Sequence, residues 1–345
     1  MALSTIQPIT PLSHRNMITN GDFMIWQKGV VATQTGSGGT KPVDGWRQGQ
    51  SNVGQLSTDT SRVADAPANT GLKYSIKAQV KTPENDLGAN EDSTLITKIE
   101  GHDCQKLMYG TANAKNTALS FWVKSSIAGT FAVRIYQEDG NDAIAKPYTI
   151  NSVNTWEYKT LLFPGNTLAT ITDDPTCGLQ ISWYISAGAN NVGGSNGDVW
   201  HSYVNNLAAF GHVTNTLVTT DESTFQLTGV QFEMGHVATP FEFKSFEENL
   251  AKCQRYYAKS RNYDKYNGDS DRGGEVTFRG YTSNASSMFQ WYAFPVEMNH
   301  APDITVEGTG PDDISSTLIG TKGFRAGYST DNSQYNFYYY ADAEL

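Results

Sequence analysis

An all-β protein is what this sequence predicts: a large β-sandwich, one connecting α-helix and a small antiparallel β-domain. Three observations carry that reading. The 345 residues include 32 Gly, 18 Tyr, 15 Phe and 7 Trp but only 17% charged side chains, a composition rich in turns and in strand-forming aromatics. Runs of strand length alternate apolar and polar residues, the period that sets one face of a sheet in a core and the other in solvent. Between the runs stand clusters of Gly, Asn, Asp and Pro, which tolerate tight turns.

Residues 1–15 place Pro8 and Pro11 among small side chains and read as an extended arm that anchors rather than folds. The sandwich is expected over 16–244, with "NGDF" (20–23) opening its first strand. Further strands are expected at "ALSFWVKS" (118–125), "TFAVRIYQ" (130–137), "TWEYKTLLF" (155–163) and "LQISWYIS" (179–186). The segments "ADAPANTG" (64–71), "TPENDLGANED" (82–92) and "SAGANNVGGSNGD" (186–198) are loops with room for function. A connecting helix is expected over 245–262: Ser245 and Glu248 have capping-box spacing, and Phe246, Leu250, Cys253 and Tyr257 share a face. Residues 263–345 return to strand patterns, among them "GEVTFRGY" (274–281), "MFQWYAFPVEM" (288–298), "DITVEG" (303–308), "GFRAGYS" (323–329) and "QYNFYYYADAEL" (334–345).

Charge and composition remove several function classes. A formal net charge of -10, a pI near 5.1 and no cluster of Lys or Arg argue against gripping phosphate backbones, so no nucleic-acid partner is expected. No apolar run reaches the roughly 20 residues that span a bilayer, and the first residues lack a secretion signal, so no membrane insertion is expected. Cys104, Cys177 and Cys253 are odd in number and far apart, which favours buried, reduced thiols over a disulfide framework or a zinc site.

Three segments together resemble a known family: "NGDFMIWQKG", "LTGVQFEMGHVATPFEFKSFEENLAKCQRYY" (227–257), and "FPVEMNHAPDITV" (294–306) with the closing "ADAEL". They are similar to phage and prophage virion proteins of the tail-fibre type that carry a carbohydrate-binding-module-like jelly roll. The resemblance implies a jelly-roll topology for the sandwich and a place in a virion assembled in the host cytoplasm. Sugar-binding jelly rolls of this arrangement hold a structural calcium between an acidic residue after the first strand and a late Asp. Asp22 stands at the first position, but Thr228 occupies the second. The acidic loop 262–275 lacks the Gly and the closing Glu of an EF-hand. No metal and no cofactor is therefore expected.

No G-x-S-x-G elbow or H-E-x-x-H is present and the His residues are scattered, so no catalytic residue is assigned. Two carboxylates facing across a cleft leave no mark in spacing, which keeps a polysaccharide-degrading tail protein open as an alternative. The candidate ligand-binding residues are aromatic, because sugar rings stack on flat side chains while polar neighbours bind hydroxyls. They are Trp200, His201 and Tyr203 after a Gly/Asn loop, and Tyr263 and Tyr266 in a polar linker. Trp200 can equally open a strand and fill the core. Trp122, Trp183 and Trp291 read as packing residues, and the Tyr-rich tail as an edge suited to a subunit interface.

The reading is a non-enzymatic virion protein, a tail-fibre or tail-tip adhesin for host surface polysaccharide. Its arm would dock on other virion proteins, and a homotrimer would supply avidity. The alternative is a head fibre or capsid-decoration protein without a specific ligand.

Overall fold

The computed structural model describes residues 13–29, 31–194, 197–266, 273–279, 288–308, 314–328 and 334–345. Most of the expected arm, and residues 267–272 of the acidic loop 262–275, thus lie outside the described residues. The chain forms two compact units: Met1–Met24 with Val31–Lys244, and Ile25–Val30 with Ser245–Leu345.

The first unit is a jelly-roll sandwich. Its strands are β1 (Ala32–Thr35), β2 (Gly38–Val43), β3 (Trp46–Ser51), β4 (Ser57–Val63), β5 (Ser75–Thr82) and β6 (Asp92–Glu100). They continue with β7 (Thr117–Ser125), β8 (Gly129–Gln137), β9 (Asp142–Ile150), β10 (Glu157–Phe163), β11 (Cys177–Ala187), β12 (His201–Ser202) and β13 (Thr224–Met234). A single helical turn, α1 (Gly101–Cys104), follows β6. One sheet has six strands in the order β1-β4-β5-β13-β7-β10, and the other seven, β12-β9-β8-β11-β6-β3-β2.

The alternation read from sequence builds the core between these sheets. Phe121 and Val123 of β7 and Ile181 and Trp183 of β11 are fully buried. Trp183 meets Trp46 at 5.4 Å and Phe121 edge-on at 5.7 Å, so one aromatic cluster joins strands of both sheets. Cys104, Cys177 and Cys253 are buried.

The segment 16–24 is not the expected first strand. Asn20 and Phe23 take left-handed backbone conformations, with φ of 56° and 54°, which breaks any strand there. The segment instead lies beside β13. Met17 N–H donates to Phe232 O (2.9 Å), Val230 N–H donates to Gly21 O (2.9 Å), and the Asn16 side chain bridges Val230 O and Phe232 N–H. A Cβ on Gly21 would stand 2.1 Å from Val230 O, so only glycine permits this approach. The first two segments of the sequence resemblance therefore pack on each other. A buried polar lock completes them: Glu233 accepts from Thr239 and Gln231, and Gln231 in turn accepts from Glu242 N–H.

A long connection after β11 covers the outer face of the seven-stranded sheet, where Ala208, Ala209 and Tyr203 pack on Ala132, Tyr184 and Ala187. It passes through His212, 3% exposed, whose ring stands edge-on to Phe131 at 5.6 Å. His212 Nε2–H donates to Thr214 O (2.8 Å) and Asn215 Oδ1 (3.2 Å). Burial pulls the imidazole down from 6.5 to about 4. Between those values the unfolded chain takes up a proton that the fold refuses, so stability falls as the pH drops through that window. Asp92, pushed up to about 6 by burial against the opposing pull of Arg134, acts in the reverse sense. The difference between wild type and His212→Gln isolates the histidine. That difference should shrink by about 2 kcal/mol from pH 7 to pH 5 in urea denaturation. A pH-independent difference would count against a neutral buried His212.

The second unit contains α2 (Phe246–Gln254) and seven strands among the described residues. The strands are β14 (Tyr257–Lys259), β15 (Val276–Arg279), β16 (Met288–Ala293), β17 (Asp303–Gly308), β18 (Ile314–Gly320), β19 (Gly323–Tyr328) and β20 (Gln334–Asp342). The helix begins where the capping box places it, with Ser245 Oγ accepting from Glu248 N–H at 3.1 Å. It is shorter than expected, because Tyr257 already belongs to a strand.

The Tyr-rich tail is not an edge. β20 pairs with β17 along residues 337–342 and with β14 and β15, so it lies inside its sheet, and Tyr338 and Tyr339 are 7% and 6% exposed. A small core of Phe294, Met298, Phe324, Phe337 and Tyr339 joins this sheet to the three-stranded sheet β16-β19-β18.

Candidate functional site

The five aromatic candidates fall in different units. Trp200, His201 and Tyr203 belong to the first, Tyr263 and Tyr266 to the second. Trp200 is half-buried, its Nε1–H donates to Pro164 O at 2.7 Å, and Tyr109 meets it edge-on at 5.7 Å. His201 Nδ1 lies 2.8 Å from Ser202 O. Tyr203 packs on Tyr136 at 5.4 Å and lies 5.2 Å from the Arg134 guanidinium, which also faces Tyr136 and Tyr184. Tyr203 thus packs on the seven-stranded sheet, whereas Trp200 packs on Tyr109 and Pro164 outside it. In the second unit, Tyr263 Oη accepts from Trp26 N–H at 2.8 Å, and Tyr266 lies against Trp26 at 6.1 Å and Lys259 at 5.0 Å.

An open cleft of about 240 Å³ lies beside Trp200 in the first unit, lined by Cys104, Gln105, Met108, Tyr109, Thr170 and Ile171. Burial pushes the Cys104 thiol far up, so it stays protonated at neutral pH and offers no nucleophile. Tyr109 lines the cleft and touches Trp200.

The broader candidate surface is the outer face of the six-stranded sheet. Because Phe121 and Val123 point into the core, Trp122 between them must point out. The register sets Trp122 directly opposite Tyr158 on β10, with ring centroids 5.3 Å apart, and Tyr158 is 45% exposed. The next row across the sheet is polar, running from Lys124 through Gln226 to Lys77 and Ser61. Lys124 pairs with Asp65 and covers the Trp156 ring at 5.1 Å, while Trp156 Nε1–H donates to Asp65 Oδ1 at 3.3 Å. Burial acts to raise Asp65, but its bonds from Lys124 and Trp156 outweigh that and keep it ionised.

The loop leading to Tyr158 is pinned. Glu157 accepts from Asn151 N–H and Ser152 N–H at 2.8 and 2.7 Å and pairs with Lys159 at 2.6 Å. Burial pulls its carboxyl up, yet these donors win and hold it at about 2. Exposed Tyr158 beside half-buried Trp122, flanked by the part-exposed ammonium groups of Lys124 and Lys77, can stack one sugar ring and hydrogen-bond its hydroxyls.

Sequence reading missed this pair, placing Trp122 in the core and passing over Tyr158. Trp291 was likewise expected in a core and is 52% exposed. Among the described residues no group of three or more His, Cys, Asp or Glu is arranged to hold a metal ion.

No protein-family profile matches the chain, and no curated protein is detectably similar in sequence. Similar solved structures include the enzymatically active domain of bacteriophage CBA120 tailspike protein 4, at 13% identity and a TM-score of 0.35 over 64% of this chain. The match takes in 21% of that tailspike chain, so the present chain spans about a fifth of its length. The family 11 carbohydrate-binding module of the Clostridium thermocellum cellulase Lic26A-Cel5E matches at 12% identity over 61% of this chain and 98% of its own, with a TM-score of 0.30. A carbohydrate-binding module, TmCBM61, solved with β-1,4-galactotriose, matches at 11% identity over 65% and 99%, with a TM-score of 0.29. At these scores the likeness concerns β-sandwich architecture alone.

Proposed function

We propose that this chain is a non-enzymatic, glycan-binding virion protein of the tail-fibre or tail-tip kind, which holds host surface polysaccharide on the outer face of its six-stranded sheet. The observation that carries the binding assignment is the in-register pair of exposed Tyr158 and half-buried Trp122, beside the part-exposed side chains of Lys124 and Lys77. The virion assignment is supported by the sequence resemblance of the segments 20–29, 227–257 and 294–306. Residues 1–15 would dock on other virion proteins. Trp200, beside the smaller cleft, would make a secondary contact.

Oligomerisation, for which a trimer is the proposal, would multiply weak sites into useful avidity. The buried tail removes one reason for expecting it, so any subunit interface must use another surface.

Tyr158→Ala tests the reading, because a half-exposed side chain on a strand can be removed with little effect on folding. Loss of one stacking ring should weaken binding to isolated host polysaccharide by roughly 2- to 12-fold per site. The melting temperature should stay within a few degrees of wild type. Unchanged adsorption to host cells by a normally folded Tyr158→Ala variant would remove the adhesin reading and favour capsid decoration without a ligand.

A further inference from the structure

The second unit carries another exposed aromatic surface, on the three-stranded sheet β16-β19-β18. Tyr292, Phe324 and Ala326 supply one face of this sheet to the small core. Their neighbours Phe289, Trp291 and Arg325 therefore belong to the opposite face. Phe289 and Trp291 are 51% and 52% exposed. Trp291 stands directly across from Arg325, and Arg325 from Thr317.

Trp291 is held flat by what lies beneath it. A Cβ on Gly323 would meet the indole Cζ2 and Cε2 at 2.8 and 2.9 Å, so the ring covers the bare glycine and leaves its other side to solvent. Arg325 is fixed as firmly. Its guanidinium carbon sits 4.0 Å from the Phe289 ring centroid, and Nε–H donates to Thr317 Oγ1 at 3.1 Å. Among the described residues no carboxylate pairs with Arg325, although the chain as a whole carries a net charge of -10. A clamped cation whose two terminal nitrogens have no hydrogen-bond partner among the described residues, beside a flat apolar ring, matches a sugar ring that bears a carboxylate. The ring stacks on the indole and the carboxylate takes the guanidinium fork. A second copy of the chain is a poorer fit, since a two-fold contact centred on Arg325 would set cation against cation.

We propose that Trp291 and Arg325 form a second saccharide site, selective for acidic sugars such as uronates. The proposal takes its ligand class from the glycan-binding reading, but it rests on residues of the other unit and stands or falls separately.

The probe is a galacturonate trisaccharide, compared with its neutral methyl ester by titration calorimetry on the full chain. The acid should bind and the ester should bind at least about tenfold more weakly, the loss of a charge-assisted bidentate contact. Arg325→Gln should remove the preference for the acid, and Trp291→Ala should lose both ligands. Tyr158→Ala should leave this titration unchanged, and Trp291→Ala should leave binding to host polysaccharide through Tyr158 detectable. Failure of the wild type to bind the acid, or equal affinity for acid and ester, would overturn the site. Sedimentation showing that Trp291→Ala dissociates an oligomer would overturn it too, by making this face a contact between copies. Arg325→Gln keeps a hydrogen-bonding side chain on a half-exposed strand, which guards against a failure that is only one of folding.

Discussion

Replacing Lys259 by Met should destabilise the second unit by about 3–5 kcal/mol, because a single ammonium there serves three backbone carbonyls. Lys259 is 7% exposed, and its Nζ donates to Gln27 O and Lys265 O at 2.6 Å and to Tyr263 O at 3.0 Å. The Tyr266 ring lies 5.0 Å from the same nitrogen. Methionine keeps most of the aliphatic stem but removes every donor, leaving the carbonyls of two separate segments without their common partner. Against the enthalpy of a domain of about 100 residues, the loss corresponds to a fall of roughly 15 °C or more in the melting transition of this unit. Calorimetry on the purified variant measures it. A fall of only about 3 °C would mean that water satisfies the carbonyls as well as the lysine does.

Trp183→Ala should cost the first unit a comparable amount, about 3–5 kcal/mol, by opening a cavity where the two sheets meet. Trp183 is fully buried between Trp46 and Phe121, and neither ring can follow it inward without leaving its own strand. Trp183→Phe keeps an aromatic ring and should cost clearly less. The urea midpoints of the two variants decide the point. If alanine and phenylalanine were equally tolerated, the stability of the sandwich would have to reside elsewhere than in this cluster.

The parts of the fold legible in the sequence are those where local pattern and tertiary environment agree. The runs 118–125, 130–137 and 179–186 alternate cleanly and lie within β7, β8 and β11, because each buries one face in the sandwich. The helix start was legible for the same reason: a cap is a local device. The expectation that "NGDF" opens a strand failed because the segment only borders one. Asn20 and Phe23 turn the chain, and the segment is held by β13 more than 200 residues away, at |i−j| of 214 and 216. The tail 334–345 was misread because whether a strand lies at the edge or inside a sheet depends on partners that composition does not name.

The candidate site suffered most from this limit. Trp122 and Tyr158 are neighbours only through the register of β7 with β10, which no local pattern specifies. Trp291 gave the same signal as a core tryptophan, since alternation separates two faces without saying which is wet. The loop around Trp200 drew attention by its glycines and asparagines, yet Gly194 and Gly197 permit close approaches to Leu207 and Phe210, contacts that fold the connection itself, and Gly188 permits one to Gly88.

The composition of the second unit has a consequence for the order of events during synthesis. Residues 25–30 find their partners late in the chain: Gln27 bonds Tyr257, Trp26 bonds Tyr263 and Lys28 bonds Glu344, across 230, 237 and 316 residues. At a ribosomal pace of about 5–20 residues per second, roughly 15–60 s pass between the emergence of the early hexapeptide and that of its last partner. All of 31–244 is made in that interval, so the sandwich has time to form before the second unit can close. Ile25 and Gln27, almost wholly buried in the finished protein, are meanwhile without a shelter of their own. Long closure of this kind slows folding, and it leaves "IWQKG" without its native partners until the last hundred residues are made.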